Sequence, residues 1–167
     1  MTDRAPGPLS ISAKLRLVWS IWQDYVRIRL ALRRTALPEV VERLLQTPVD
    51  RHALALEPRR LGRIVRRAMG VGPFRPRCLA MSLVLFRELR RQGTAAELVI
   101  GLPPEPTDHT AHAWVEVDGQ VVGPPPGRLG HAELARYGAS PSVRHRRSAR
   151  QPGARSSVAD PRGTDGE

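Results

Sequence analysis

The chain has 167 residues, 41% of them hydrophobic, enough for one domain with a modest core and too many for a disordered chain. Its net charge of +11, with a pI near 11.5, favours acidic partners: nucleic acid, an anionic membrane, or an acidic peptide or protein. A single cysteine excludes an internal disulfide, and no charge-free apolar run approaches the roughly 18 residues of a membrane-spanning helix. The first residues lack the apolar stretch of a signal peptide, so a cytoplasmic location is expected.

In chain order, residues 1 to 10 are rich in Pro and Gly and read as loose. Ser12 is placed to cap a helix from Ala13 to Thr35, with Leu15, Val18, Trp22, Tyr25, Ile28 and Leu32 at three- and four-residue steps as its apolar stripe. Arg16, Arg27, Arg29, Arg33 and Arg34 occupy the rest of that helix. A basic helix bearing Trp is compatible with peripheral membrane contact, although packing on its own domain is the commoner use. Pro38 starts a second helix, Glu39 to Gln46, and a third runs from Arg59 to Met69 with Leu61, Ile64, Val65 and Ala68 on one side. A strongly apolar fourth helix follows Pro76-Arg77-Cys78 and stops at Gly93. Residues Ala96 to Gly101 read as a strand, Ala111 to Val117 as a second, and Gln120 to Gly123 as a third returning across the Asp118-Gly119 hairpin turn. A short helix is expected around His131 to Tyr137. The chain beyond is Ser, Arg, Pro and Gly and reads as a disordered basic tail. These elements divide the chain into a basic helical region over 1–55, a mixed domain over 56–137 and a tail over 138–167.

Two residues carry candidate chemistry. A lone cysteine is in most proteins an inert buried residue, but Cys78 opens an apolar helix, where unpaired N–H groups favour the thiolate and Arg75 and Arg77 add positive charge. Its own N–H is a candidate oxyanion donor. His112 lies on a strand whose Ala113, Val115 and Val117 suit a core, while His112, Trp114 and Glu116 share the other face. A helix-borne Cys followed by a strand-borne His suits nucleophilic catalysis, in which the imidazole takes the thiol proton and returns it to the leaving amine. One Cys and five scattered His form no ligand cluster at a recognisable spacing, so neither metal nor other cofactor is expected. A nucleic-acid-binding role finds no helix-turn-helix, zinc or base-stacking motif to support it.

Pro76-Arg77-Cys78-Leu79, the helix end Arg90-Arg91-Gln92-Gly93, Leu98-Val99-Ile100-Gly101 and above all Ala111-His112-Ala113-Trp114-Val115-Glu116-Val117-Asp118-Gly119 resemble the leader peptidases of lasso peptide biosynthesis. These are stand-alone versions of the C-terminal domain of the microcin J25-processing B protein, in the transglutaminase-like superfamily. The likeness runs from about Leu61 to Gly123. It implies an α/β (α+β) papain/transglutaminase-like fold, with N-terminal helices, a nucleophile helix and a small antiparallel sheet. It implies a cysteine peptidase with Cys78 as nucleophile and His112 as base. The implied partners are a lasso precursor peptide, a leader-binding recognition protein and an ATP-dependent macrolactam cyclase.

The sequence departs from that family at the third member of the Cys-His-Asp triad. The family's Asp lies about twelve positions beyond the His, and Pro124 stands there in this chain. With a two-residue turn at Asp118-Gly119, Val117 should face Gln120, Val115 face Val122 and Ala113 face Pro124, putting position 124 beside His112. Asp118 is then about 20 Å from His112 and Glu116 about 13 Å. Asp108 and His109 precede His112 on a loop and are weaker substitutes. Three readings stay open: a Cys-His dyad, a different orienting acid, or a weak or inactive leader-binding member of the same complex.

Overall fold

The computed structural model describes residues 10–70, 78–103, 111–123 and 131–138. Four helices, α1 (Ile11–Arg34), α2 (Leu37–Leu45), α3 (Pro58–Gly70) and α4 (Cys78–Arg91), precede four strands, β1 (Ala96–Leu102), β2 (His112–Val117), β3 (Gln120–Gly123) and β4 (Ala132–Tyr137). The strands form one antiparallel sheet in the order β3-β2-β1-β4, the expected α+β architecture.

α4 is the central element. Ala80, Leu83, Val84, Leu85, Phe86 and Leu89 are all buried, because α4 is packed by helices α1, α2 and α3 on one side and by the sheet on the other. Its C-terminus closes as a Schellman motif: Gly93 (φ 81°) donates to Arg90 O at 2.9 Å and Thr94 donates to Leu89 O at 2.9 Å. Alternation along β2 sends Val115 and Val117 into the same core as Ala96 and Leu98 of β1. That core continues into α1 through Leu17, Ile21, Tyr25 and Ile28. Each such side chain contributes about 1.5–3 kcal/mol on burial.

The inward face of α1 differs from the expected stripe. Ala13, Leu17, Ile21, Asp24, Tyr25 and Ile28 are buried, whereas Leu15 is 65% exposed and Val18 and Trp22 are half-buried. The helix carries two apolar faces, and polar pairing decides between them. Asp24, 1% exposed, accepts from Arg91 Nη2 at 2.8 Å and lies 3.2 Å from Arg87 Nε. Ser20 Oγ donates to Glu88 Oε1 at 2.8 Å, and Arg91 Nη1 donates to the same oxygen at 3.0 Å. Turning Asp24 outward would leave the Arg87 guanidinium without its carboxylate and Arg91 with Glu88 alone. The cap also differs: Ser10, one turn before the expected helix start, accepts from Ala13 N at 3.2 Å.

Two further expectations are corrected in the sheet. Residues Ala132–Tyr137 form strand β4, not a helix, pairing with β1 from Leu98↔Tyr137 to Leu102↔Ala132. The free edge of β1 supplies hydrogen bonds that no local preference in this short segment outweighs. The hairpin turn is as expected, with positive φ at Asp118 (51°) and Gly119 (72°). Its register is not. Val117 faces Gln120 and Glu116 faces Val121 in the expected register, but a bulge then sets Val115 against Gly123 instead of Val122. A Cβ on Gly62 of α3 would lie 2.0 Å from Val122 O, so α3 presses directly on the bulged residue. The pairing that put position 124 opposite Ala113 therefore fails before the strand ends, and Pro124 itself lies outside the described residues.

Candidate active site

Cys78 is the first residue of α4 and His112 the first of β2, so the two residues singled out by sequence lie at the beginnings of adjoining elements. The alignment is held by one face of α4. Cys78 Sγ is 3.9 Å from Ala111 O, and one turn later Ser82 Oγ, fully buried, donates to Ala113 O at 2.7 Å. These two contacts bracket His112 on either side along the strand. Cys78 is half-buried, and the helix start presents backbone N–H groups without intrahelical partners. Sγ makes its contact with Ala111 O and no hydrogen bond to the His112 ring.

His112 contacts a residue that the sequence reading did not select. Its ring centroid is 5.1 Å from that of His131, at an interplanar angle of 86°. His131 also meets Trp114 edge-on, at 5.9 Å and 66°. His131 immediately precedes β4, and the pairing of β4 with β1 carries it to the side of the sheet where His112 and Trp114 project. Gly101, opposite His112 in the register, makes room for this arrangement: a Cβ there would lie 2.9 Å from the Trp114 ring and 2.8 Å from Ala132 O.

Glu116 is committed elsewhere. Trp114 Nε1 donates to its Oε1 at 2.7 Å, and Arg136 Nη1 donates to its Oε2 at 2.9 Å. Arg136 also pairs with Glu97 and with Glu133 Oε2, the latter at 2.8 Å. Hydrogen bonding from Arg136 holds the Glu133 carboxyl below its usual range, and the same bond leads the causes that raise Arg136. Glu116 thus braces the strand carrying His112 without reaching its ring. Asp118 lies in the hairpin turn at the far end of β2. Arg75, Pro76, Arg77, Asp108 and His109 lie outside the described residues, as does the 139–167 tail. Among the described residues no three His, Cys, Asp or Glu side chains are grouped to hold a metal ion, and no helix is long and apolar enough to cross a membrane.

Compared with known families, residues 22–137 match the family described as the Transglutaminase-like superfamily, a span that covers α2 to α4, all four strands and the second half of α1. No curated protein and no solved structure matches the chain.

Proposed function

Since this chain belongs to the transglutaminase-like superfamily, we propose that it is a cysteine peptidase that removes the leader from a lasso peptide precursor, working in the cytoplasm with a leader-binding recognition protein and a macrolactam cyclase. The observation that carries the catalytic part is the placement of Cys78 at the start of α4, with Sγ 3.9 Å from the carbonyl immediately before His112. The lasso assignment rests on the likeness of the Cys78 and His112 segments to those leader peptidases.

In the proposed reaction, His112 takes the Cys78 proton as Sγ attacks the carbonyl carbon of the scissile bond. N–H groups at the start of α4 stabilise the oxyanion. The tetrahedral intermediate collapses to a thioester, and His112 returns the proton to the departing amine. Water, deprotonated by His112, then attacks the thioester; the leader acid leaves and Sγ regains its proton. The reaction requires the imidazole to accept a hydrogen bond from Sγ, a contact that in enzymes of this chemistry tightens in the Michaelis complex.

A second reading, a leader-binding member of the complex that cuts weakly or not at all, is favoured by Pro124 at the family's acid position. Incubating the protein with a lasso precursor and its recognition protein, then identifying products by mass spectrometry, separates the two. Free leader and core with wild type, and intact precursor with Cys78→Ala, are expected. Intact precursor with wild type, with leader still bound, supports the second reading. Cleavage by Cys78→Ala overturns the proposed chemistry.

A further inference from the structure

The charge of this protein is concentrated on two helices. α1 carries six Lys and Arg and a single acid, Asp24; α3 carries five Arg and no acid. Asp24 is buried against Arg87 and Arg91, so it neutralises little of the outer surface.

Between these helices runs a groove of about 650 Å³. Its apolar lining includes Val18, Trp22, Ile64 and Ala68, and its polar lining is cationic throughout: Lys14, Arg60, Arg63 and Arg67. None of these four cations lies within ion-pair distance of a carboxylate among the described residues. Trp22 joins the groove to a second recess of about 320 Å³ against Trp19 and Val26. The outward face of α1 continues the apolar surface, with Ile11 76%, Trp19 67% and Leu30 44% exposed. From Ile11 to Leu30 that face spans about 28 Å.

We propose that the α1–α3 groove is a docking site for an acidic amphipathic segment of a partner protein, with apolar side chains entering between Val18, Trp22 and Ile64 and carboxylates meeting Lys14, Arg60, Arg63 and Arg67. Charge complementarity selects this occupant. A nucleic acid would satisfy the arginines but leave the apolar lining unfilled. A lipid surface would cover the convex outer face of α1 but not fill a concavity between two helices. An acidic amphipathic segment satisfies both parts at once. The proposal does not depend on the chemistry of Cys78.

The test is a selection of displayed random peptides of about 20 residues against the full chain, followed by fluorescence anisotropy with the enriched peptides. Enriched sequences should combine Asp or Glu with regularly spaced Leu, Ile or Phe. Their affinity should fall at least about tenfold on Arg63→Glu with Arg67→Glu, both exposed positions, and on raising NaCl from about 50 to about 300 mM. Val18→Ser should weaken the same peptides without altering the salt dependence. Circular dichroism and thermal melts check each fold, and Arg63→Gln with Arg67→Gln replaces the reversal if that variant unfolds. Cys78→Ala should bind as wild type, so loss of cleavage and loss of docking are read separately. Enrichment of neutral or basic peptides, no enrichment, or affinities indifferent to the arginine variants overturns the proposal. So does tighter binding to anionic phosphatidylglycerol vesicles or single-stranded RNA, if it is lost in the same variants.

Discussion

At the level of single residues, residue type and chain order singled out Cys78 and His112, and the structure places them as the first residues of adjoining elements. His131 was not legible: it is remote in sequence and reaches His112 only because β4 pairs with β1. An edge-to-face ring contact contributes about 0.5–1.5 kcal/mol, enough to bias the orientation of His112. His131 is thus a positioning residue under the proposed chemistry. His131→Ala is expected to lower kcat about tenfold with KM little changed, a loss matching the upper end of that range. His131→Phe, which keeps a ring against His112 and Trp114, should recover part of kcat. An unchanged kcat in His131→Ala, in a variant that melts like wild type, removes His131 from the site. Glu116→Gln offers a contrast. It weakens the Arg136 pairing and should lower thermal stability modestly, with little effect on kcat, because Glu116 binds Trp114 and Arg136 and not His112.

Among the elements, the α1–α4 contact is where polar pairing overrides apolar pattern. Glu88 is only 6% exposed, and burial pushes its carboxyl above the ordinary 4.5, against the opposing pull of Arg91 and Ser20. A raised carboxyl favours the protonated folded state. Its contribution to stability is therefore greatest below pH 4.5 and declines as pH rises from 4.5 through the raised value. Glu88→Gln keeps an acceptor for Ser20 and Arg91 and should flatten that part of the stability curve, measured by urea melts from pH 4 to 8, at a cost of no more than about 1–2 kcal/mol. Glu88→Ala removes an acceptor from Arg91 and Ser20, although Arg91 keeps Asp24, and should cost more than the Gln variant, about 1–3 kcal/mol. An unaltered pH slope in Glu88→Gln would remove Glu88 as its source. The same contact shows why α1 was only half legible. The sequence contains both the inner set, Leu17, Ile21, Tyr25 and Ile28, and an outer set, Leu15, Trp19, Val26 and Leu30, and periodicity alone does not rank them. By contrast α2, α3, α4 and β1 to β3 announced themselves through Pro38, the apolar runs, Gly93 and Asp118-Gly119, which act locally. β4 and the bulge at Val122 depend on partners distant in sequence, the β1 edge and Gly62, and neither leaves a local mark.

On the scale of the whole molecule, one core runs from α1 through α4 to the sheet, and β4 closes its β1 edge. Gly138, at φ 85°, follows β4 where a Cβ would lie 2.8 Å from Ala96 O and 3.3 Å from Leu45 and Phe86, so the strand end is fitted against both sheet and helices. Tyr137 is partly buried against the core, and Arg136 gathers Glu97, Glu116 and Glu133 across three strands. Residues 139–167 hold few large apolar side chains and offer little to bury. Two truncations test this division. Ending the chain after Gly138 should shift the thermal midpoint by no more than about 2 °C, because no large apolar surface is lost. Ending it after Gly130 removes β4 and His131 together, leaves the backbone groups of β1 unpaired along one edge and strands Glu97 and Glu116 without Arg136. That loss should lower the midpoint by roughly 10 °C or more and abolish any cleavage that depends on the His112–His131 contact. If the first truncation proves as damaging as the second, the segment after Gly138 belongs to the folded unit and the boundary drawn at 138 from composition is wrong.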